Sequence, residues 1–249
     1  MPYSLLLTSC IRPSSENLIK YKIQRNDVGT RLKDYLTALE FWIRQDFLNH
    51  LIYIDNSDFS LDAIRHFVEL HNHRNIRIEI FQIKPQPVPA SFHYGYEEKE
   101  MMDYAVANSI WLTPDTTIIK CTGRLYFPKI EKLIQWNRNY DFIGDCRDYQ
   151  LFGKEAHYLN TTMFLFKKDF YMKYIYLKWD PKYSHLESVL FYLTQPLSLQ
   201  FSNVKLRFPF NVDPSGYAAH WNKQYDHPKK KIIQFLRGVC RMLFPNWYI

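Results

Sequence analysis

The chain has 249 residues, enough to bury a large core in one large domain or two small ones. Hydrophobic residues make up 47 % and aromatics 17 %, with only 7 glycines, which excludes a disordered or low-complexity chain. A net charge of +7 favours an anionic partner such as nucleic acid, a nucleoside diphosphate or an acidic membrane surface. The cysteines Cys10, Cys121, Cys146 and Cys240 are too scattered for a zinc site or a disulfide framework and read as reduced thiols.

In chain order, Tyr3–Thr8 reads as a short buried strand that ends in the polar loop Ser9-Cys10-Ile11-Arg12-Pro13. Met1–Thr8 has no basic stretch and too short an apolar run for a signal peptide. From Val28 to His50 the apolar positions Leu32, Tyr35, Leu36, Leu39, Trp42 and Ile43 recur at helical spacing. Leu51-Ile52-Tyr53-Ile54 is an apolar run stopped by Asp55-Asn56-Ser57-Asp58, a strand running into a polar turn. Leu61–His71 is helical again, Ile76–Phe81 alternates like a strand, and the proline-bearing segment Lys84–Ala90 is a loop. Tyr96–Ser109 reads as a helix, and Thr116–Lys120 as a strand entering Cys121-Thr122-Gly123-Arg124. This alternation predicts right-handed crossovers and an α/β fold with a mainly parallel central sheet flanked by helices.

Beyond residue 125 the alternation loosens. A helix is expected over Ile130–Trp136, strands over Tyr140–Gly144, Thr161–Phe166 and Val204–Phe208, and a helix over Leu186–Leu193. Asp213-Pro214-Ser215-Gly216-Tyr217 is a turn by composition. No internal repeat or clear linker interrupts the chain.

In open α/β sheets, ligands bind beyond the carboxyl ends of the strands. Three polar clusters fall at such ends: Thr8-Ser9, Asp55-Asn56-Ser57-Asp58, and Lys120-Cys121-Thr122-Gly123-Arg124. The run Leu5-Leu6-Leu7-Thr8-Ser9, a helix, and then Ile54-Asp55-Asn56-Ser57 resembles the nucleotide-binding half of glycosyltransferases of the GT-A type. There the end of the first strand and the acidic turn after the second hold base and ribose. Gly95-Tyr96-Glu97 and Ala105-Val106-Ala107-Asn108-Ser109 resemble the helix preceding the donor-phosphate strand. The likeness covers the first half well and the second half loosely.

The resemblance implies one GT-A-like catalytic domain, with residues 1–125 as the nucleotide-sugar half and 126–227 as a looser acceptor half. Residues 228–249 would form a basic amphipathic tail. It implies hexosyl transfer from a nucleotide-sugar, with a UDP-sugar as expected donor, to a glycan or lipid-linked acceptor in bacterial lipopolysaccharide or capsule assembly. Thr8, Ser9, Asp55, Asn56, Ser57, Lys120, Arg124, Asp145, Ser215 and Gly216 are the expected donor contacts.

Where many GT-A enzymes carry a metal-binding Asp-x-Asp, this chain runs into Lys120-Cys121-Thr122-Gly123-Arg124. Lys120 and Arg124 are therefore expected to neutralise the diphosphate without a metal, with Gly123 letting backbone approach a phosphate. Solvated basic residues at a turn are the alternative. If a divalent Mn²⁺ or Mg²⁺ takes part, Asp145 and Asp148 of Gly144-Asp145-Cys146-Arg147-Asp148 are its candidate ligands, against an Asp–Arg salt-bridged turn. Glu187 of Ser184-His185-Leu186-Glu187-Ser188 is the candidate base and His185 the second, against a helix-opening carboxylate favoured by the macrodipole. Ser215-Gly216, with the minor candidate His220 beside Trp221, resembles the late loop that closes over donor phosphates.

The tail from His227-Pro228-Lys229-Lys230-Lys231, if helical, gathers Ile232, Phe235, Leu236, Val239, Met242 and Leu243 on one face. That composition fits an interfacial helix drawn to anionic lipid, or a helix docked on the core by the same face. No run approaches the ~18–20 apolar residues of a spanning helix. A cytoplasmic protein is expected, held peripherally on the inner face of the membrane.

No P-loop, Rossmann glycine fingerprint or Gly-x-Ser-x-Gly is present, which sets kinase, dehydrogenase and hydrolase readings aside. A nucleotidyltransferase would carry a Gly-rich basic loop after the first strand, and Ser9-Cys10-Ile11-Arg12-Pro13-Ser14-Ser15 has no glycine. A non-enzymatic nucleic-acid-binding protein is the other alternative. The basic residues are spread along the chain with no recognised nucleic-acid motif, so nucleic acid is not the expected partner.

Overall fold

A computed structural model describes residues 3–84, 88–89, 91–137, 140–148, 156–218, 222–225, 227–244 and 247–248. The chain runs β1 (Tyr3–Ser9), α1 (Ser15–Lys20), α2 (Val28–Ile43), β2 (Leu48–Asp55), α3 (Asp62–His71), β3 (Arg77–Gln82), α4 (Gly95–Asn108) and β4 (Thr117–Thr122). It continues through β5 (Leu125–Tyr126), α5 (Ile130–Trp136), β6 (Phe142–Ile143), β7 (Cys146–Arg147), β8 (Tyr158–Leu159), β9 (Met163–Lys167), α6 (Lys168–Tyr174) and α7 (Leu186–Gln200). The last elements are β10 (Val204–Lys205), β11 (Ser215–Ala218), β12 (Lys223–Gln224) and α8 (Pro228–Leu243).

The main sheet has seven strands in the order β10-β6-β9-β4-β1-β2-β3. Strands β1 to β4 pair in parallel, as do β6 and β10, and β9 runs antiparallel between β4 and β6. The expected α/β, mainly parallel sheet flanked by helices is what the chain forms.

Both faces of the sheet are buried, so its central strands read as apolar runs rather than as alternation. Leu5, Leu7, Leu51, Tyr53, Ile119 and Cys121 face one way, onto α2, α3 and α5. Leu6, Ile52, Ile54, Ile118 and Phe164 face the other, onto α4, α6 and α7. Helix α2 starts where Asp27 caps Thr30 N–H at 2.7 Å.

Several elements differ from expectation. Helix α2 ends at Ile43, and His50 belongs to β2. The polar Asn49-His50 step hides the start of this strand because His50 is buried between Ser4 (3.1 Å) and Glu79 (2.9 Å). Helix α7 runs on to Gln200 with Pro196 inside it. Ser215-Gly216 is a strand rather than a turn. Gly216 sits at φ +109°, and a Cβ there would lie 2.6 Å from the Arg124 carbonyl oxygen, so only glycine lets β11 lie against β5.

Candidate active site

The carboxyl ends of β1, β2 and β4 and the entry to β9 open onto one crevice of about 280 Å³. Thr8, Asn56, Arg124 and Thr161 come from those strand ends. Tyr94, Glu97 and Glu98 come from the start of α4, and Glu187 from the first turn of α7. The two helix starts are pressed together: a Cβ on Gly95 would lie 2.8 Å from Leu186 Cβ.

A hydrogen-bonded chain crosses the crevice floor. Thr8 Oγ1 donates to Glu98 Oε1 at 2.8 Å. Lys120 Nζ donates to the same oxygen at 2.6 Å and to the Thr161 carbonyl at 2.6 Å. Thr161 Oγ1 donates to Glu187 Oε1 at 3.2 Å. The end of β1 is thereby tied through α4 and β4 to the start of α7. Burial raises the Glu98 carboxyl, but the Lys120 charge and hydrogen bond, the Thr8 hydroxyl and the Arg124 charge outweigh it and hold it below its ordinary value.

This arrangement corrects the expectation for Lys120. Its side chain is 0 % exposed and its ammonium is occupied from inside, with Thr122 Oγ1 as a third neighbour at 3.4 Å. It positions Glu98 and Thr161 and does not line the crevice. Gly123 is likewise turned to the chain itself: its N–H donates to the Thr8 carbonyl at 2.8 Å, and a Cβ would meet that oxygen at 2.8 Å.

Arg124 does line the crevice, beside Tyr35, Tyr94 and Tyr225. Its Nε donates to the Tyr217 carbonyl at 3.0 Å, which fastens β11 over it. Ser215 and Gly216 serve that fastening and stay out of the crevice, which Ala218 and Tyr225 reach instead. Arg25 adds a second hold, stacking over the Tyr217 ring at 3.9 Å. The other cation on the described wall, Arg31, is spent on the carbonyl oxygens of Cys10, Ile11 and Arg25.

At the far end, Ser9, Asp55 and Ser57 form a closed set. Asp55 accepts from Ser9 Oγ at 2.7 Å, Ile11 N at 3.0 Å and Ser57 N at 2.7 Å. With both oxygens engaged and no exposure, Asp55 shapes the loop rather than touching a ligand. Burial still pushes its carboxyl above the ordinary range, against the pull of Ser57 and Ser9. Asn56 lines the crevice, with its side chain mostly buried. Its Nδ2 donates to Glu97 at 3.2 Å, and its buried Oδ1 has no partner. Asn17 donates to the other Glu97 oxygen at 2.9 Å and lines the same wall. An orphaned buried acceptor on a crevice wall is a place for a ligand N–H or O–H.

Asp145 lies elsewhere, and the expectation of a sugar contact there is corrected. It is buried between Arg241 (2.7 Å) and Arg147 (2.8 Å). Burial raises its carboxyl, and the two guanidiniums more than reverse that. Two arginines on one carboxylate do not fit a divalent-cation ligand, and Asp148 lies 3.8 Å from His157. The salt-bridged turn is what forms at Gly144–Asp148. Among the described residues no group of three or more His, Cys, Asp or Glu side chains is placed to hold a metal ion. His185 is exposed and packs on His93, ring centroids 4.5 Å apart, outside the crevice wall. His220 and Trp221 lie outside the described residues.

Sequence reasoning passed over Glu98, Asn17, Tyr35, Tyr94 and Tyr225. The adjacent acids Glu97-Glu98 at the start of a helix were the available signal for the first of these.

Neither a protein-family model nor a curated protein matches the chain. Among solved structures it is similar to mouse xyloside xylosyltransferase 1, at 12 % identity and TM-score 0.47 over 94 % of this chain and 93 % of that one. It is similar to 4-diphosphocytidyl-2C-methyl-D-erythritol synthase of Anaerococcus prevotii, at 12 % and 0.47 over 95 % and 96 %. It is also similar to a mannosyltransferase of Pyrobaculum calidifontis in complex with GDP-Man and Mn²⁺, at 8 % and 0.45 over 77 % and 51 %. The similar structures thus include glycosyltransferases and a 4-diphosphocytidyl-2C-methyl-D-erythritol synthase, and at these identities and scores none assigns an activity to this chain.

Proposed function

We propose that the chain is a nucleotide-sugar-dependent glycosyltransferase with its donor in this crevice. The observation that carries the reading is the convergence, at the carboxyl ends of parallel strands, of an unpartnered buried acceptor on Asn56, a guanidinium on Arg124 and a carboxylate on Glu187. Asn56, with Asn17 and Glu97 beside it, would take the polar edge of the base or the ribose. Residues 1–125 would supply the donor side and residues 126–227 the acceptor side.

In the reaction, the acceptor hydroxyl oxygen attacks the anomeric carbon and the carbon–oxygen bond to the diphosphate breaks. The bonding electron pair leaves on the nucleoside diphosphate, whose charge Arg124 meets with its planar fork. The hydroxyl proton passes to Glu187, held in place by Thr161. Attack opposite the leaving group inverts the anomeric centre. The positive charge needed at the phosphates comes in this account from Arg124, with Lys120 behind it as a positioning residue. A UDP-sugar with a hexosyl group, and a glycan or lipid-linked acceptor of surface-polysaccharide type, are the substrates that fit the GT-A resemblance.

A thermal-shift panel of nucleoside diphosphates and sugar nucleotides, with and without EDTA, tests the reading. Stabilisation by a sugar nucleotide that survives EDTA is expected. No stabilisation by any of them removes the donor site. Product analysis separates the competing nucleotidyltransferase: release of pyrophosphate from a nucleoside triphosphate and a sugar phosphate would replace the glycosyl-transfer reading.

A further inference from the structure

Helix α8 is docked the wrong way round for a core helix. Gln234, Gly238 and Arg241, spaced about one helical turn apart, meet the protein. The Gln234 carbonyl accepts from Asn211 Nδ2 at 3.0 Å, Gly238 faces Asn211, and Arg241, 1 % exposed, reaches Asp145. The Arg241 carbonyl accepts from Arg207 at 2.9 Å. Of the two alternatives, docking of the apolar face on the core is not what forms. Ile232 is 63 % exposed, Phe235 71 % and Met242 72 %, with Ile233, Leu236 and Leu243 also exposed.

Scattered exposed apolar residues are ordinary, but a continuous stripe along a 16-residue helix is not. The helix carries Lys229, Lys230, Lys231, Arg237 and Arg241 and no acidic residue. Lys231 is exposed at its start, and Lys230 lies over the Tyr225 ring at 4.6 Å. Tyr225 is itself a crevice wall, so the cationic end of α8 adjoins the crevice mouth. No helix among the described residues is long and apolar enough to cross a membrane.

We infer that α8 is an anionic-lipid-binding helix that lies in the membrane interface, with Ile232, Phe235, Leu236, Met242 and Leu243 in the acyl region and Lys230 and Lys231 at the headgroups. The occupant follows from charge: an apolar stripe flanked by cations and no anions matches an acidic bilayer better than a second copy of this basic chain, which would bring like charges together. The buried Arg241–Asp145 pair fixes the roll of the helix so that the stripe faces outward. The inference is independent of the transferase reading, because its test contains no nucleotide or sugar.

Flotation with vesicles of phosphatidylcholine alone, and of equal parts phosphatidylcholine and phosphatidylglycerol, tests it on the full chain and on Phe235→Ser/Leu236→Ser. The full chain should float with the anionic vesicles only, less so at high salt, and the variant should bind about tenfold or more weakly while melting at an unchanged temperature. Three results overturn the inference: no flotation of the full chain, equal flotation of the variant, or a variant that loses its fold. Light scattering showing a dimer that the variant dissociates would assign the face to a second copy instead.

Discussion

Lys120 and Glu98 are joined at 2.6 Å beneath the crevice, with the lysine wholly enclosed and the carboxylate 17 % exposed. The pair sets the height of α4 against β4 and, through Thr161, the position of Glu187. Because the lysine has no route to solvent, its loss would leave a carboxylate facing the crevice without its counter-charge.

This pair gives the stability of the protein an acid limb. The folded-state value of Glu98 is lowered from the ordinary 4.5, so between the two values the unfolded chain binds more protons than the native one. Its contribution is complete above about pH 4.5 and is lost as pH falls through the lowered value. Urea unfolding from pH 7 to 3 checks this. Glu98→Gln should flatten the acid limb relative to the unsubstituted chain, and Lys120→Met should cost about 3–5 kcal/mol at neutral pH by stranding the carboxylate. An acid limb unchanged by Glu98→Gln would contradict it.

How much of this was legible in the sequence depends on where a side chain's partner lies. The parallel half was readable because Leu5–Leu7 and Leu51–Ile54 are apolar runs stopped by polar turns, the pattern of strands buried on both faces. The two-residue strands β5, β6, β7, β8, β10 and β12 are too short to show a period, and of these β6 and β10 fall inside apolar stretches that read as strands. In the site, Thr8, Asn56, Arg124 and Glu187 could be picked from strand and helix ends, and all four line the crevice. Lys120 looks the same in sequence but is turned inward, because its partner Glu98 stands 22 residues away. For Asp145 the local partner Arg147 could be read as a salt-bridged turn, while Arg241, which completes its burial, stands 96 residues away. No local pattern reveals a partner that far along the chain.

Gly216 carries the cover over Arg124. Gly216→Ala places a methyl group against the Arg124 carbonyl at a φ that L-residues rarely adopt, and should cost about 1–3 kcal/mol. The loss should appear first as protease cleavage near residues 213–225, where β11 leaves β5, before the main sheet melts. Limited proteolysis followed by mass spectrometry reads it, and an unchanged cleavage pattern would show that β11 is not the fastening.

Glu187→Gln keeps the size of the side chain and removes its basicity. Turnover should fall about 10²–10⁴-fold with donor affinity nearly unchanged, as expected for loss of a general base. Steady-state kinetics together with donor titration separates the two. His185→Ala, whose ring lies outside the crevice wall, should leave both within about twofold, in line with a surface substitution.

In the proposed reaction Arg124 meets the diphosphate of a nucleotide-sugar. Isothermal titration of the panel's best-stabilising sugar nucleotide into the unsubstituted chain and Arg124→Ala, both in EDTA, tests it most directly. Saturable one-site binding is expected, weakened about 30-fold or more in the variant, the loss of a charge-assisted hydrogen bond of about 2 kcal/mol. Equal affinity in the two proteins, or binding that appears only when Mn²⁺ is restored, would contradict it.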